Sequence, residues 1–266
     1  MVQAPVGWHC RHCVRQNAKT SPVVRYRPGR PGVPSLSQTP VTLGLIAICV
    51  AVYLVTSADQ GFVDSDQSIL DRFGVQGYLI QVEGQWYRLF TSIFLHVNIT
   101  HIGLNMLSLY IIGRAIEPAL GKWRYLGLFL VCGLGGSVAY YLLVNPLAAP
   151  ASALGITQLS APAVGASGAI FGLFGAYFVM ARRAAANTSG IIFLIVINLV
   201  YGFAVPGIGW QAHVGGLATG LAITAGFGLA RHRRGRQRAV IDGVVLATTC
   251  IVLGLLMLLP AGVAPT

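Results

Sequence analysis

VGASGAIFGLFGAYFVMARR, residues 164–183, runs eighteen residues without a charge before it meets Arg182 and Arg183. A hydrocarbon core about 30 Å thick is crossed by roughly 20 apolar residues in a helix, so this stretch reads as a membrane span with one basic end. The rest of the chain agrees: 55% of its 266 residues are hydrophobic and 9% are charged, against roughly 25% charged in a soluble domain. Such a composition cannot cover a water-facing exterior. It excludes a cytosolic enzyme, a disordered chain and a disulfide-stapled secreted module.

Working outward, the same yardstick predicts further spans at 41–57, 100–116, 123–144, 190–205, 208–230 and 239–260. The expected fold is an all-α membrane protein, a polytopic helical bundle of six core spans plus one C-terminal span. Three parts follow: residues 1–40 as an N-terminal segment ending in a Pro/Arg linker, 41–235 as the six-helix core, and 236–266 as the seventh span with its tail. Forty residues precede the first span with no small-residue cleavage pattern, so it is not expected to be a signal peptide.

Basic residues set the sidedness. Sixteen of the eighteen Lys and Arg fall before span one, at the turn between spans two and three, after span four and after span six, leaving Arg72 and Arg88 on the other side. By the positive-inside rule the N-terminus is expected in the cytoplasm and the C-terminus outside, in a plasma-membrane protein. A net charge of +11 arranged this way sets orientation and does not call for nucleic acid. The external loop 58–99 holds five of the seven acidic residues, and its apolar half WYRLFTSIFL (86–95) is expected to be an interfacial segment. Residues 145–163 read as an uncharged Pro/Ala/Ser loop with no evident chemistry.

Polar groups inside spans are costly and turn toward the protein interior. Four stand out: His101 and Asn105 in span two, Ser167 in span four and His213 in span six. These three spans run in the same direction, and each polar residue falls within the first turn or two, which puts all four at similar depth in the outer leaflet. Ser167, flanked by Gly165 and Gly168, opens a helix whose first N–H groups lack intrahelical partners and suit a developing anion. The competing reading is a helical serine bonded to the carbonyl one turn back. His213 can act as general base toward a serine hydroxyl, or stand as a structural histidine on a backbone carbonyl. Gly168 and Gly172 on span four, with Gly216 and Gly220 on span six, form two small-xxx-small faces that let helices approach closely. Ser167 and His213 lie just outward of that approach. His101 and Asn105, four residues apart, share a helix face and can both donate toward a carbonyl oxygen. His96 reads as structural, at the junction of loop and helix. A metal site at these residues is disfavoured because asparagine is a poor ligand and further donors are missing.

Trp86-Tyr87-Arg88 in the loop, His96-x4-His101-x3-Asn105, Gly165-Ala166-Ser167-Gly168 and Ala212-His213-Val214-Gly215-Gly216 together resemble the rhomboid family of intramembrane serine proteases. The resemblance covers roughly residues 73–230 and implies a Ser/His dyad with no acidic third member and no cofactor. Ser167 would be nucleophile and His213 base, with the Ser167 backbone N–H, His101 and Asn105 holding the oxyanion. It also implies a partner: a transmembrane protein substrate in the lipid bilayer, cut near the outer end of its helix. Phe171 stands where many members have tyrosine and would pack on the imidazole. The seventh span is similar to the six-plus-one arrangement of part of the family.

Cys10-x2-Cys13, within WHCRHCVRQ (8–16), is half of a zinc knuckle, whereas a closed structural site takes four ligands. Cys49, Cys132 and Cys250 stand alone in apolar runs, as small core residues do. Two other functions stay on the table: a catalytically inactive relative that binds or escorts transmembrane helices, and a small-solute transporter. Retention of both Ser167 and His213 weighs against the first. The lack of paired repeats and of mid-membrane charges weighs against the second.

Overall fold

The computed structural model describes residues 2–3, 8–9, 38–62, 68–143, 162–205, 207–230 and 232–258. The chain divides into two units, Met1–Ser35 and Leu36–Thr266. In the first, β1 (Val2–Gln3) pairs antiparallel with β2 (Trp8–His9). The candidate zinc ligands Cys10 and Cys13 and the Pro/Arg linker lie outside the described residues.

The second unit is a helical bundle. Its long helices are α1 (Pro40–Phe62), α5 (Ile99–Leu120), α6 (Lys122–Leu143), α7 (Ser167–Arg183), α8 (Ser189–Ala204), α9 (Trp210–Phe227) and α10 (Gly235–Met257). Between α1 and α5 come three short helices, α2 (Ile69–Phe73), α3 (Gly77–Gln81) and α4 (Arg88–Thr91), and a 3-10 turn over Ser92–Phe94. Five of the long helices are long and apolar enough to cross a membrane. The other two expected spans are shorter, 17 residues in α7 and 16 in α8. The protein is an all-α polytopic membrane bundle. The seventh span begins at Gly235, four residues before its expected start at 239.

Helix α9 sits at the centre, packed on α7 and α6. Glycine makes this possible. A methyl group added at Gly220 would overlap the Gly172 carbonyl oxygen and lie 2.5 Å from Gly172 Cα. One at Gly216 would overlap the Gly168 oxygen. The two small-residue faces expected from the spacing therefore meet, backbone against backbone. Helix α6 enters the same crossing, which the spacing argument missed: a methyl on Gly136 would lie 2.8 Å from the Ala212 oxygen and 3.1 Å from Gly168 Cα.

Two buried acids tie neighbouring helices together. Glu117 accepts hydrogen bonds from the backbone N–H groups of Val41 (2.9 Å) and Thr42 (2.8 Å) and from the Thr42 hydroxyl (2.7 Å). It thereby satisfies orphan donors of α1, whose first residue is a proline with no N–H to lose. Asp242 of α10 pairs with Arg124 of α6. It docks the seventh span ionically on α6.

The loop before α5 differs from expectation. Residues 86–95 are only partly interfacial: Trp86, Tyr87 and Phe90 are exposed, but Leu89, Ile93 and Leu95 are buried. Leu89 joins a cluster with Val75, Ile80, Val138 and Tyr141, so α4 is seated on α6. The far end of the 145–163 loop also has a structural task. Val75 and Ala163 exchange backbone hydrogen bonds of 2.9 and 3.0 Å, an isolated antiparallel bridge two residues before Gly165.

Candidate active site

Ser167 is the first residue of α7, and His213 lies in the first turn of α9. The α7–α9 crossing brings the His213 Nε2 within 2.9 Å of the Ser167 Oγ. That distance suits a hydrogen bond in which the hydroxyl donates. The imidazole is buried, and its second nitrogen, Nδ1, has no hydrogen-bond partner among the described residues. Orientation comes instead from packing. Phe171, one turn after Ser167, stacks on the imidazole with centroids 4.3 Å apart and planes 7° from parallel. From the Nδ1 side Gly202 of α8 backs the ring, with room for a methyl 3.4 Å from that nitrogen. Gly202 was not visible as a site residue in sequence, where it is one small residue in a largely apolar helix.

His101 closes a third side. Asn98 caps α5 by accepting a 2.8 Å hydrogen bond from the His101 backbone N–H, which fixes His101 in the first turn. Its ring lies over Gly165: a Cβ there would sit 2.8 Å from His101 Nε2 and 3.8 Å from Ser167 Oγ. Gly165 has φ +134°, so glycine is needed for the backbone conformation as well as the space. Asn105, one turn below, is buried and donates from Nδ2 to the His101 carbonyl at 2.9 Å. This bond takes one of its two amide hydrogens. Ser167, His213 and His101 thus come from three helices to one place beside Gly165, and Asn105 is tied to His101 on the same helix.

Supporting residues fill in behind. His96 is buried with its ring edge-on to His101, centroids 5.1 Å apart. Burial, and then the neighbouring His101, pushes its imidazole down to about 4, which keeps it neutral near pH 7. Arg88 is a clamp for the loop. Its Nη1 donates to the carbonyls of Asp71 (2.5 Å) and Gly74 (2.9 Å), and its Nε to Gln85 Oε1 (2.7 Å). Through Gly74 and Val75 this clamp reaches the Val75–Ala163 bridge, and the Gly165 N–H donates to the Ser92 carbonyl at 2.9 Å. Trp86 meets Tyr141 of α6 edge-on, centroids 6.2 Å apart. Sequence had marked Arg88 and Trp86 as loop residues. The bridge that links Arg88 to the extended segment before Ser167 has no local sequence signature.

Comparison with known proteins decides the family. The Rhomboid domain matches residues 83–230, more than half of the chain. The chain belongs to the rhomboid family. The matched region runs from the loop through α9 and contains every residue of the site, while α1 and α10 lie outside it. Among its relatives, Rhomboid protease GluP of Bacillus subtilis (strain 168) is 34% identical over 189 residues, 69% of this chain but 34% of that protein. Rhomboid protease AarA of Providencia stuartii is 31% identical over 219 residues, covering 75% of this chain and 76% of that protein. RHOMBOID-like protein 2 of Arabidopsis thaliana is 33% identical over 189 residues, 66% of this chain and 55% of its own. The chain thus spans about a third of the length of the first relative and three quarters of the second. This rhomboid is a multi-pass membrane protein whose named bacterial relatives are proteases.

Proposed function

We propose that this rhomboid is an intramembrane serine endopeptidase that cleaves transmembrane-helix substrates near the outer membrane face by a dyad of Ser167 and His213. The observation that carries the reading is the 2.9 Å contact between His213 Nε2 and Ser167 Oγ beneath the stacked Phe171 ring. In the reaction, His213 Nε2 takes the hydroxyl proton as Ser167 Oγ bonds to the scissile carbonyl carbon. The oxyanion that forms faces the Ser167 backbone N–H at the start of α7, with His101 and Asn105 as further donors. His213 then returns its proton to the leaving nitrogen as the C–N bond breaks. Water from the same side attacks the acyl-enzyme, gives a proton to His213 and releases the second product as Ser167 regains its hydrogen.

Length supports the depth. Helix α7 has 17 residues, about 26 Å at 1.5 Å per residue, against a core of about 30 Å. With Arg182 and Arg183 at the inner boundary, Ser167 stops just short of the outer one. On this reading the N-terminus is cytoplasmic and the C-terminus external in the plasma membrane. Residues 1–40 form a cytoplasmic segment, 41–235 the catalytic core and 236–266 the added span with its tail. Catalysis draws on protein groups alone.

The test is cleavage of a single-span reporter in proteoliposomes. Ser167→Ala and His213→Ala each abolish release of the external fragment while the variants keep the native melting temperature. Unchanged turnover by Ser167→Ala removes the mechanism.

A further inference from the structure

Away from the site, the basic end of α10 carries arginines that make no ion pair among the described residues. Arg233, Arg236 and Gln237 line an open groove of about 530 Å³ that continues onto Val240 and Ile241. At 100° per residue Arg236, Gln237, Val240 and Ile241 share one face of α10, with Arg233 two residues before its start, and Asp242, docked on Arg124 of α6, points from the opposite face. The groove therefore looks away from the bundle, toward lipid, and Val240 is 56% exposed in it. The acids near this end are already engaged, Glu117 by Val41 and Thr42 and Asp242 by Arg124. No ion pair is made by Arg233, Arg234, Arg236 or Arg238 among the described residues.

We infer that this groove binds one anionic phospholipid, with the phosphodiester on Arg233 and Arg236, the headgroup polar atoms on Gln237 and the first methylenes of an acyl chain along Val240 and Ile241. The order of the lining is the argument. Two guanidiniums at the water edge supply forked donors matched to phosphate oxygens. An uncharged hydrogen-bonding residue follows, and then branched aliphatic surface one turn deeper in the span. A soluble anion would use the first part and leave the rest idle. A zwitterionic lipid would bring its own cation to a site already crowded with positive charge. Juxtamembrane basic residues attract anionic lipid in this way. The inference does not depend on the dyad.

The experiment uses the full chain in phosphatidylcholine nanodiscs doped with phosphatidylglycerol, with retained lipid counted by native mass spectrometry. The expected result is preferential retention of phosphatidylglycerol, weakened about fivefold for each arginine removed in R233Q/R236Q, the equivalent of ~1 kcal/mol per charge. The double variant K122Q/R182Q, which strips the same number of charges from the same end, retains the preference. Should R233Q/R236Q not fold, R236Q alone carries the test. Equal loss in the K122Q/R182Q control, or no loss in the groove variant, overturns the site. Displacement of the lipid by inorganic phosphate at matched concentration overturns its assignment to lipid.

Discussion

Replacing Gly216 with alanine tests whether the helix crossing sets the catalytic distance. The new methyl would overlap the Gly168 carbonyl oxygen, lie 2.6 Å from the Gly168 carbonyl carbon and 3.0 Å from its Cα. Carbon atoms settle near 3.5 Å or more, so α7 and α9 must part by about 1 Å locally. The obstruction is backbone, and no rotamer can relieve it. Gly168 follows Ser167 directly, so the separation carries Oγ with it. The 2.9 Å contact to His213 Nε2 opens to about 3.9 Å, beyond hydrogen-bonding range. A misplacement of that size costs about 100-fold in rate, and overpacking costs about 1–3 kcal/mol in stability. Reporter cleavage in proteoliposomes and thermal unfolding in detergent measure the two. Gly243→Ala, where nothing lies within 4 Å, is the control and leaves both unchanged. Wild-type turnover by Gly216→Ala at an unchanged melting temperature would refute the reasoning.

Three other perturbations separate the roles around Ser167. Asn105→Ala lowers kcat about 100- to 1,000-fold with little change in KM, as loss of one oxyanion donor does; a pure KM effect would assign Asn105 to substrate binding instead. Phe171→Leu removes the flat face on His213, slowing cleavage about three- to tenfold, the worth of an aromatic pair, and an unchanged rate would show that the stack does not orient the ring. His96 gives a pH signature. Its folded value of about 4 lies below the usual 6.5, so its contribution of ~3 kcal/mol is complete above pH 6.5 and fades as pH falls toward 4. Melting temperatures across that window fall more steeply for the native chain than for His96→Gln, and parallel curves would exclude this burial as the cause.

What could be read from sequence and what could not divides along physical lines. A bilayer makes polar groups expensive, so Ser167, His213, His101 and Asn105 stood out, and the common direction of their spans gave their shared depth. The glycine spacing of α7 and α9 likewise showed a close crossing, because Gly168/Gly172 and Gly216/Gly220 each repeat at one turn. Helix α6 gave no such signal. Gly135 and Gly136 lie side by side in a helix that is apolar all round, so nothing indicates which face meets Ala212. The short helices of the loop, of five, five and four residues, are too brief for a 3.6-residue period to appear. Glu117 lies one residue past the expected end of span two, and nothing local signals that it caps α1 across the bundle. The Arg124–Asp242 pair joins residues 118 apart in sequence, and no local pattern reports a contact of that range.

Mapping the adduct of a serine-reactive fluorophosphonate by peptide mass spectrometry, on the full chain in a bilayer, reaches the dyad most directly. Activation of the hydroxyl by the imidazole predicts modification at Ser167 in the native chain and its disappearance in His213→Ala. Equal labelling of Ser167 in both chains, or an adduct on a different serine with Ser167 untouched, would contradict it.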